Sequence, residues 1–380
     1  MTASPKNIII IGPAHPLRGG LASFNERLAR QFITEGHQTT IYTFSLQYPG
    51  FLFPGTTQYS SEPAPDDVKI NACINSVNPF NWIKIGNQIK NLHPDLIVVR
   101  YWLPFMGPCL GTILRRVKKN RHTKIVCIAD NIIPHEKRIG DTAFTKFFIK
   151  PVDAFITMSE KVLKDLKIFT NTKTARQVAH PLYDNFGERI DKTEARNKLG
   201  IDKDLSIVLF FGFIRKYKGL DILLDTIKII KEQHATIPPV KFLIAGEFYE
   251  DRAPYEKQIA ALGIEDMLIL KTDFIPDSEV KYYLCAADMV VQPYRNATQS
   301  GVTPLAYHFE VPMVVTDVGG LPALVPDHKA GLVAEPNAKD IAEKIQTFFK
   351  LGTQYFVPFL KEEKKKYGWD RLTETILSSV

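Results

Sequence analysis

The sequence has few cysteines, and none of them is placed to build a zinc ribbon or a disulfide framework. Its 380 residues include four cysteines that lie far apart, and no Cys-x-x-Cys pair occurs. That spacing fits a protein kept in a reducing compartment. We therefore expect four buried, hydrophobic thiols, at Cys73, Cys109, Cys127 and Cys285.

Long apolar runs are also absent. No apolar stretch approaches the roughly 20 residues that span a membrane. The first residues lack a basic leader followed by an apolar segment and a cleavage site, and Asn7–Ile11 instead predicts a buried strand. We therefore expect a cytoplasmic protein, and the chain length predicts two domains.

The net charge of +7 is unevenly distributed along the chain. Residues 1–185 hold 23 Lys and Arg against 13 Asp and Glu, and residues 101–150 hold 10 against 3. No zinc-finger spacing, RRM-type aromatic motif or helix-turn-helix accompanies this charge, so nucleic acid is not the expected partner. The basic half favours a phosphate-bearing acceptor or an anionic membrane surface.

Short apolar runs alternate with helix-period segments along the whole chain, which predicts strands each followed by a helix. Because these runs are apolar throughout, both sheet faces should be covered, as in parallel α/β sheets. The pattern predicts two doubly wound, Rossmann-like domains. The predicted strands are Asn7–Ile11, Thr39–Thr43, Leu96–Val99, Lys124–Ile128, Ala154–Thr157, Ser206–Phe211, Val240–Ala245, Met267–Leu270, Met289–Gln292 and Met313–Val315.

The stretch Ala297–Pro322 carries the strongest chemical signal. Small and hydroxylated residues follow a predicted strand and begin a helix, whose first N–H groups and partial positive charge suit a phosphate. An alternative is that Thr298 or Ser300 only caps this helix. The candidate donor-binding residues here are Thr298, Gln299, Ser300, Gly301 and Val302.

Two cations follow the predicted strand Ser206–Phe211. Arg215 and Lys218 lie on the loop that leads into the next helix, at the strand end where α/β domains bind ligands. Arg215 can form forked hydrogen bonds with phosphate oxygens, and Lys218 can act as a point charge. The alternative is an ordinary solvated loop, which is our expectation for Lys216.

A third glycine-containing segment, Arg18–Phe32, follows the first strand. Gly19 and Gly20 would let the backbone approach a ligand closely, although a tight turn alone also explains them. The segment lacks the GxGxxG fingerprint, so it does not favour NAD.

Together these segments resemble the retaining, family-four (group 1) class of GT-B glycosyltransferases. GGLASFNERLA, GFIRKYKGLDILL and VPMVVTDVGGLP carry the resemblance, which extends over nearly the whole chain. It implies an acceptor-binding domain at residues 1–185 and a nucleotide-sugar-binding domain at residues 186–358, with a cleft between them. It also implies a final helix at residues 359–380 that returns to the first domain, where Trp369 would anchor it.

The resemblance further implies a UDP- or GDP-linked sugar as donor, no cofactor and no metal. Phe274 would lie beside the base. Charge that develops on the departing diphosphate would be stabilised by Arg215 and Lys218. The only Asp-x-Asp string, residues 202–204, lies in the expected linker and is a poor metal site.

The chain departs from the family pattern at three places. Two glutamates expected in the 297–306 segment are replaced by Ala297 and Leu305, or by Thr298 and Ala306 in the other register. The usual phosphate arginine is replaced by Phe213, with Arg215 as a displaced substitute. The histidine expected after the fourth N-terminal strand is replaced by Asp130, for which His135 would compensate. Asp130 or His135 would position the acceptor or support the positive charge on the sugar.

The resemblance implies transfer of a sugar to a hydroxyl acceptor in cell-surface polysaccharide or glycolipid synthesis, and a lipid-phosphate-linked compound is the candidate acceptor. Another GT-B enzyme, such as a sugar-nucleotide epimerase, and a non-catalytic binding protein on a decayed scaffold remain alternatives. The Tyr101–Lys124 segment, aromatic and basic, is a candidate for contact with an anionic membrane. The alternative is a core helix with a solvated basic face.

Overall fold

A computed structural model describes residues 4–50, 57–134, 138–233, 238–297 and 300–380. The chain divides into two compact units: unit 1 is residues 1–180 with residues 369–380, and unit 2 is residues 181–368. Each unit has its own parallel sheet, with helices between most successive strands. The predicted fold class, two Rossmann-like doubly wound domains, is confirmed.

The sheet of unit 1 has seven strands in the order β3-β2-β1-β4-β5-β6-β7, all paired in parallel. The strand order reverses between β1 and β4. The strands are β1 Asn7–Ile11, β2 Gln38–Leu46, β3 Lys69–Asn75, β4 Leu96–Tyr101, β5 Lys124–Ala129, β6 Ala154–Thr157 and β7 Thr174–Gln177. The helices between them are α1 Gly20–Thr34, α2 Pro79–Leu92, α3 Gly107–Val117, α4 Asp141–Ile149 and α5 Glu160–Lys167.

The central strands of unit 1 form because their side chains are apolar on both faces. Ile8 to Ile11 of β1 are at most 2% exposed, and they pair with β2 on one side and β4 on the other. Helix α1 buries Phe24, Leu28 and Phe32, which recur at four-residue intervals along one face. This packing holds the α1 N-terminus beside the carboxyl end of β1.

Unit 2 has six strands in the order β10-β9-β8-β11-β12-β13, again all parallel, and the order reverses between β8 and β11. The strands are β8 Ser206–Phe211, β9 Val240–Ala245, β10 Leu268–Lys271, β11 Met289–Gln292, β12 Met313–Thr316 and β13 Gly331–Ala334. The helices are α6 Lys192–Leu199, α7 Leu220–Glu232, α8 Ala253–Leu262, α9 Val280–Ala286, α10 Val302–His308, α11 Leu321–Leu324, α12 Ala338–Leu351 and α13 Thr353–Glu363.

The last helix, α14 Trp369–Leu377, belongs to unit 1. Trp369 is 4% exposed and its ring lies 4.8 Å from that of Phe24 on α1. The Arg27 guanidinium lies 5.0 Å from the centre of the same indole. The segment 359–380, predicted as one helix, is divided between α13 in unit 2 and α14 in unit 1, and the first unit boundary lies at residue 180, where residue 185 was predicted.

All ten predicted strands are present, and three further strands were missed. The missed strands are β3, β7 and β13, and each one lies at the edge of its sheet. Strands β3 and β7 are only partly covered, so their sequences lack a continuous apolar run. Strand β13 is apolar and buried but only four residues long, so its run is short.

The Tyr101–Lys124 segment packs into the core of unit 1. It ends β4 and then forms α3, whose apolar side chains are fully buried at Cys109, Leu110, Ile113, Leu114 and Val117. These side chains are therefore not exposed to lipid, and the core-helix alternative describes the segment. Within the part of the chain that the structure describes, no helix is both long and apolar enough to cross a bilayer.

Candidate functional site

The carboxyl ends of β8 and β11 form the centre of the candidate site in unit 2. The strand order reverses between these two neighbours, and a crevice at such a reversal is where α/β domains bind ligands. Gly212 follows β8 directly, and Pro293 and Tyr294 follow β11. The sequence brings the loop 213–219 to the same edge, because it joins β8 to α7.

Lys218 is buried at this edge. Its side chain is 8% exposed, and its ammonium lies 5.9 Å from the centre of the Tyr294 ring. A Cβ atom on Gly212 would lie 3.0 Å from Nζ of Lys218 and 3.7 Å from Cγ2 of Val302. Gly212, with φ of 93°, therefore leaves room for the ammonium between the two loops.

The ammonium of Lys218 has no acidic counterpart in the part of the chain that the structure describes. Burial, and secondly the positive charge of Arg215, lower the pKa of Lys218 from 10.5 to about 7. No carboxylate among the described residues lies within ion-pair distance of it. A buried cation without a carboxylate is costly unless an anion binds beside it. The site can therefore stabilise an anionic ligand.

Arg215 lies on an aromatic stack that joins three loops at the carboxyl edge of the sheet. Its guanidinium carbon is 5.1 Å from the centre of the Tyr249 ring. Tyr249 stacks on Phe213 at 4.2 Å, and the ring of Phe274 lies 6.4 Å beyond Phe213 at an interplanar angle of 23°. Phe213 thus takes part in a stack that supports Arg215, the displaced substitute for the usual arginine.

A buried hydrogen-bond network lies under the start of α10. Ser300 donates from Oγ to Oε1 of Gln292 at 2.5 Å, and Val302 donates its N–H to Oγ of Ser300 at 3.2 Å. Gln292 also donates to Oγ1 of Thr303 at 3.1 Å. Gln292, Ser300 and Thr303 are at most 4% exposed. The Ser300 hydroxyl and the Val302 amide are therefore already partnered within unit 2.

The remaining predicted residues of this segment are placed differently. Gly301 is exposed and forms the N-cap of α10 without a side-chain cap. Thr298 and Gln299 lie outside the described residues. Gly319, at the other end of the Ala297–Pro322 stretch, approaches the carbonyl of Ala297 so closely that a Cβ would lie 1.8 Å from that oxygen. The two ends of the stretch are thus in contact.

In unit 1, Gly19 and Gly20 lie at the start of α1. Gly19 is the N-cap residue with φ of 100°, and its carbonyl accepts the N–H of Ala22 at 2.9 Å. Asn25 of the same helix donates to the carbonyl of Pro13 at 2.8 Å. The loop between β1 and α1 is thereby held at the carboxyl end of β1, where the strand order of this sheet reverses.

Asp130 follows β5, and its carboxylate is bound by Arg100. Arg100 donates from Nε and Nη2 to the two oxygens of Asp130, at 2.6 and 2.5 Å. The Arg100 guanidinium also lies 3.9 Å from the centre of the Phe24 ring and is 2% exposed. A carboxylate held in this way can orient neighbouring groups. His135, its predicted companion, lies outside the described residues.

Sequence reasoning missed four residues that shape these sites. Gln292 and Arg100 are polar side chains near the ends of apolar strands, and that position is a usable signal. Tyr249 and Tyr294 gave no signal, because nothing local marks which aromatic ring will contact a cation. Among the described residues, no group of three or more His, Cys, Asp or Glu side chains is arranged to hold a metal ion.

Sequence comparison relates unit 2 to a known family. Residues 191–364 match the sequence model of the family Glycosyl transferases group 1. The chain is 23% identical over 261 residues to TuaC of Bacillus subtilis, a protein named for glycosyl transfer in teichuronic acid biosynthesis. It is 30% identical over 191 residues to the lipopolysaccharide core biosynthesis mannosyltransferase LpsB of Rhizobium meliloti. These matches cover 68% and 48% of this chain, and 62% and 51% of the relatives, so the chain spans only part of their length.

Solved structures share the fold of the chain. Sucrose-phosphate synthase from Thermosynechococcus elongatus is similar with a TM-score of 0.72 at 15% identity, over 99% of this chain and 100% of the enzyme. Anabaena HepE, solved in complex with UDP and glucose, is similar with a TM-score of 0.71 at 15% identity, over 98% and 100%. The fold is that of the GT-B glycosyltransferases. Residues 191–364 thus match the glycosyl transferases group 1 family, and the resemblance to group 1 found in the sequence is confirmed for this part of the chain.

Proposed function

We propose that the chain is a glycosyltransferase that moves a sugar from a UDP- or GDP-linked donor to a hydroxyl acceptor in polysaccharide or glycolipid synthesis. Lys218 is the observation that carries this proposal. A buried ammonium with no carboxylate among its described neighbours is stabilised when a diphosphate binds beside it. Arg215 adds a second cation that can bind phosphate oxygens.

The proposed transfer forms a bond between the acceptor oxygen and the anomeric carbon while the bond from that carbon to the diphosphate breaks. The acceptor proton passes to an oxygen of the departing diphosphate, and the configuration at the anomeric carbon is retained. Lys218 and Arg215 stabilise the negative charge that develops on the leaving group. No metal ion or cofactor takes part in this proposal, because the two cations supply the positive charge.

The sequence relatives and the similar solved structures support the proposed donor and the proposed class of biosynthesis. HepE has been solved with UDP and with UDP-glucose, and TuaC and LpsB are named for teichuronic acid and lipopolysaccharide core biosynthesis. We extend this to the acceptor and propose a hydroxyl compound linked to a lipid phosphate. The basic charge of residues 101–150 suits such an acceptor.

Thermal-shift measurement with UDP, GDP and ADP tests the donor site. We expect UDP or GDP to raise the melting temperature, with a gain of about 2.7 kcal/mol in the free energy of unfolding at a ligand concentration of 100 Kd. Lys218→Met should abolish this shift, whereas Lys216→Met should keep it, because Lys216 is exposed and lies on the same loop. Failure of all three nucleotides to stabilise the protein would contradict the proposal.

Turnover separates an enzyme from a binding protein. The sugar nucleotide that stabilises the protein most should release its nucleoside diphosphate when lipid-linked acceptors are present. NMR of the product should show the donor's anomeric configuration, and the rate should not change with EDTA. Tight nucleotide binding without turnover would favour a non-catalytic binding protein, for which the absence of carboxylates in residues 300–308 is the motivating feature.

A further inference from the structure

Three exposed apolar side chains of unit 1 lie in or just before α4. Ile139, just before this helix, is fully exposed at 106%, and Phe144 and Phe147 on the helix are exposed by 39% and 38%. Helix α4 also presents an exposed face at positions spaced by three and four residues. This face is formed by Ala143, Lys146, Phe147 and Lys150.

The packing of α4 on α3 holds these rings at the surface. A Cβ on Gly111 of α3 would lie 2.7 Å from Cδ1 of Phe147, so the ring rests directly on the glycine. The Arg115 guanidinium carbon lies 3.5 Å from the centre of the Phe147 ring. A Cβ on Gly107 would lie 2.6 Å from the carbonyl oxygen of Phe144. The Phe147 ring is therefore held against the α3 backbone, and the α4 backbone at Phe144 is held close to α3.

Positive charge surrounds these apolar side chains. Within residues 138–150 there are three basic residues and one acidic residue, Asp141, whose carboxylate accepts the backbone N–H of Arg138. Arg115 adds a fourth cation from α3. We use the name α4 patch for Arg115, Arg138, Ile139, Phe144, Lys146, Phe147 and Lys150.

We infer that the α4 patch docks the protein on an anionic lipid surface. Cations favour a negatively charged leaflet, and apolar side chains between them enter the boundary between headgroups and acyl chains. Ile139 favours a lipid surface over nucleic acid as the partner, because a fully exposed aliphatic side chain gains nothing from contact with a polyanion. The segment predicted for this contact, Tyr101–Lys124, contributes only Arg115.

The inference deepens the proposed transfer to a lipid-linked acceptor, and it rests on that function only for the identity of the acceptor. Docking itself needs no nucleotide. The donor site lies in unit 2 and the α4 patch lies in unit 1, so the two are tested by different measurements.

Co-sedimentation with vesicles tests the inference. The full chain should bind vesicles of phosphatidylcholine with about 30% phosphatidylglycerol at low salt and should not bind pure phosphatidylcholine. Binding should weaken as salt is raised, because headgroup charges are screened. Equal binding to both vesicle types, or none to either, would overturn the inference.

Two variants and two matched controls locate the surface. Lys146→Glu with Lys150→Glu should lower the partition coefficient by about tenfold or more, and Ile139→Ser by about fivefold. Lys161→Glu with Lys167→Glu makes the same charge change on α5 of the same unit, and Phe80→Ser removes another exposed apolar residue, 85% exposed on α2. Both controls should keep at least half of the binding.

The outcomes separate docking from folding and from the proposed function. A melting temperature and a nucleotide shift equal to those of the wild type show that each variant is folded. Equal loss of binding in the α5 control would overturn the inference, since net charge would then explain it. So would a wild-type dimer that Ile139→Ser dissociates in the absence of vesicle binding, since the occupant would then be a second copy. Vesicle binding without any nucleotide shift would contradict the proposed function alone.

Discussion

At the scale of single residues, Lys218 shows a conflict between stability and binding. Its burial lowers its pKa to about 7, which means that folding opposes its charged form. A residue that only supported the fold would be apolar here, since Val302 and Tyr294 lie beside it. The proposed anionic ligand would explain this cation, whereas packing does not.

Replacing Lys218 with methionine should make the protein more stable and unable to bind nucleotide. Methionine fills a similar volume without a buried charge, so we expect a gain of about 1–3 kcal/mol in the free energy of unfolding at pH 7. Denaturant unfolding without ligand measures the gain, and the UDP-induced melting shift measures the loss. A variant less stable than the wild type would show that the ammonium has a structural role.

Nucleotide affinity should depend on pH through Lys218. A bound diphosphate favours the ammonium and raises its pKa above the value of about 7 in the free protein. Affinity should therefore be highest below about pH 7 and should fall as pH rises from 7 to 9. Calorimetric titration of UDP should also show proton uptake at pH 8, seen as a heat that depends on the buffer. Lys218→Arg should bind without this uptake.

The same pKa shift predicts how stability changes with pH. Because the folded pKa lies below the unfolded value of 10.5, the unfolded chain binds more protons between about pH 7 and 10.5. The destabilisation from Lys218 is full below pH 7 and is relieved as pH rises through this window. The stability gain of Lys218→Met should shrink accordingly.

Tyr249 should act as a positioning residue for Arg215. Its ring lies beneath the guanidinium and stacks on Phe213. Tyr249→Leu should weaken UDP affinity by about three- to tenfold, whereas Tyr249→Phe should restore it, because the ring alone provides the contact. Calorimetry of both variants is the measurement. Equal affinities for the leucine variant and the wild type would remove Tyr249 from the site.

At the scale of elements, the loop after β12 depends on one close backbone approach. Gly319 has φ of 57° and contacts the carbonyl of Ala297, which is 2% exposed. Gly319→Ala should lower the free energy of unfolding by about 3 kcal/mol or more, from strain and overlap together. Gly263→Ala is the matched control: its φ is 59°, nothing lies within 4 Å, and we expect a loss of about 1 kcal/mol. Equal losses of stability in the two variants would show that overlap with the Ala297 carbonyl does not contribute.

Strands could be predicted from the sequence mainly where most of their residues are buried, and two were missed where their residues are only partly buried. Five predicted strands have the observed bounds, among them β1, β8 and β11. The missed strands β3 and β7 are edge strands with partly exposed residues, so no continuous apolar run marks them. Tyr101–Lys124 illustrates the opposite limit: its apolar residues signalled burial, but the sequence did not distinguish a protein core from a lipid surface.

At the scale of the molecule, the C-terminal residues complete unit 1. Trp369 packs on Phe24 and beneath Arg27, and Thr373 donates from Oγ1 to the Glu35 carboxylate at 2.6 Å. Trp369→Ala should destabilise unit 1 by about 3 kcal/mol, whereas Trp369→Phe should cost under about 1.5 kcal/mol. Denaturant unfolding with and without UDP tests this. An unchanged midpoint in the alanine variant would contradict the anchoring role.

The sequence by itself determined the two sheets, the loops at the reversals of strand order and the presence of Lys218 at one of them. Periodicity and apolar runs encode these features locally. Only the tertiary structure decided which polar groups are already partnered. Arg100 binds Asp130 across 30 residues, and Gln292 accepts from Ser300 across a strand-to-helix turn. It also decided that Ile139 and Phe147, and not the apolar residues of α3, lie at the surface. Such pairings and exposures depend on which segments pack together, and local sequence does not contain that information.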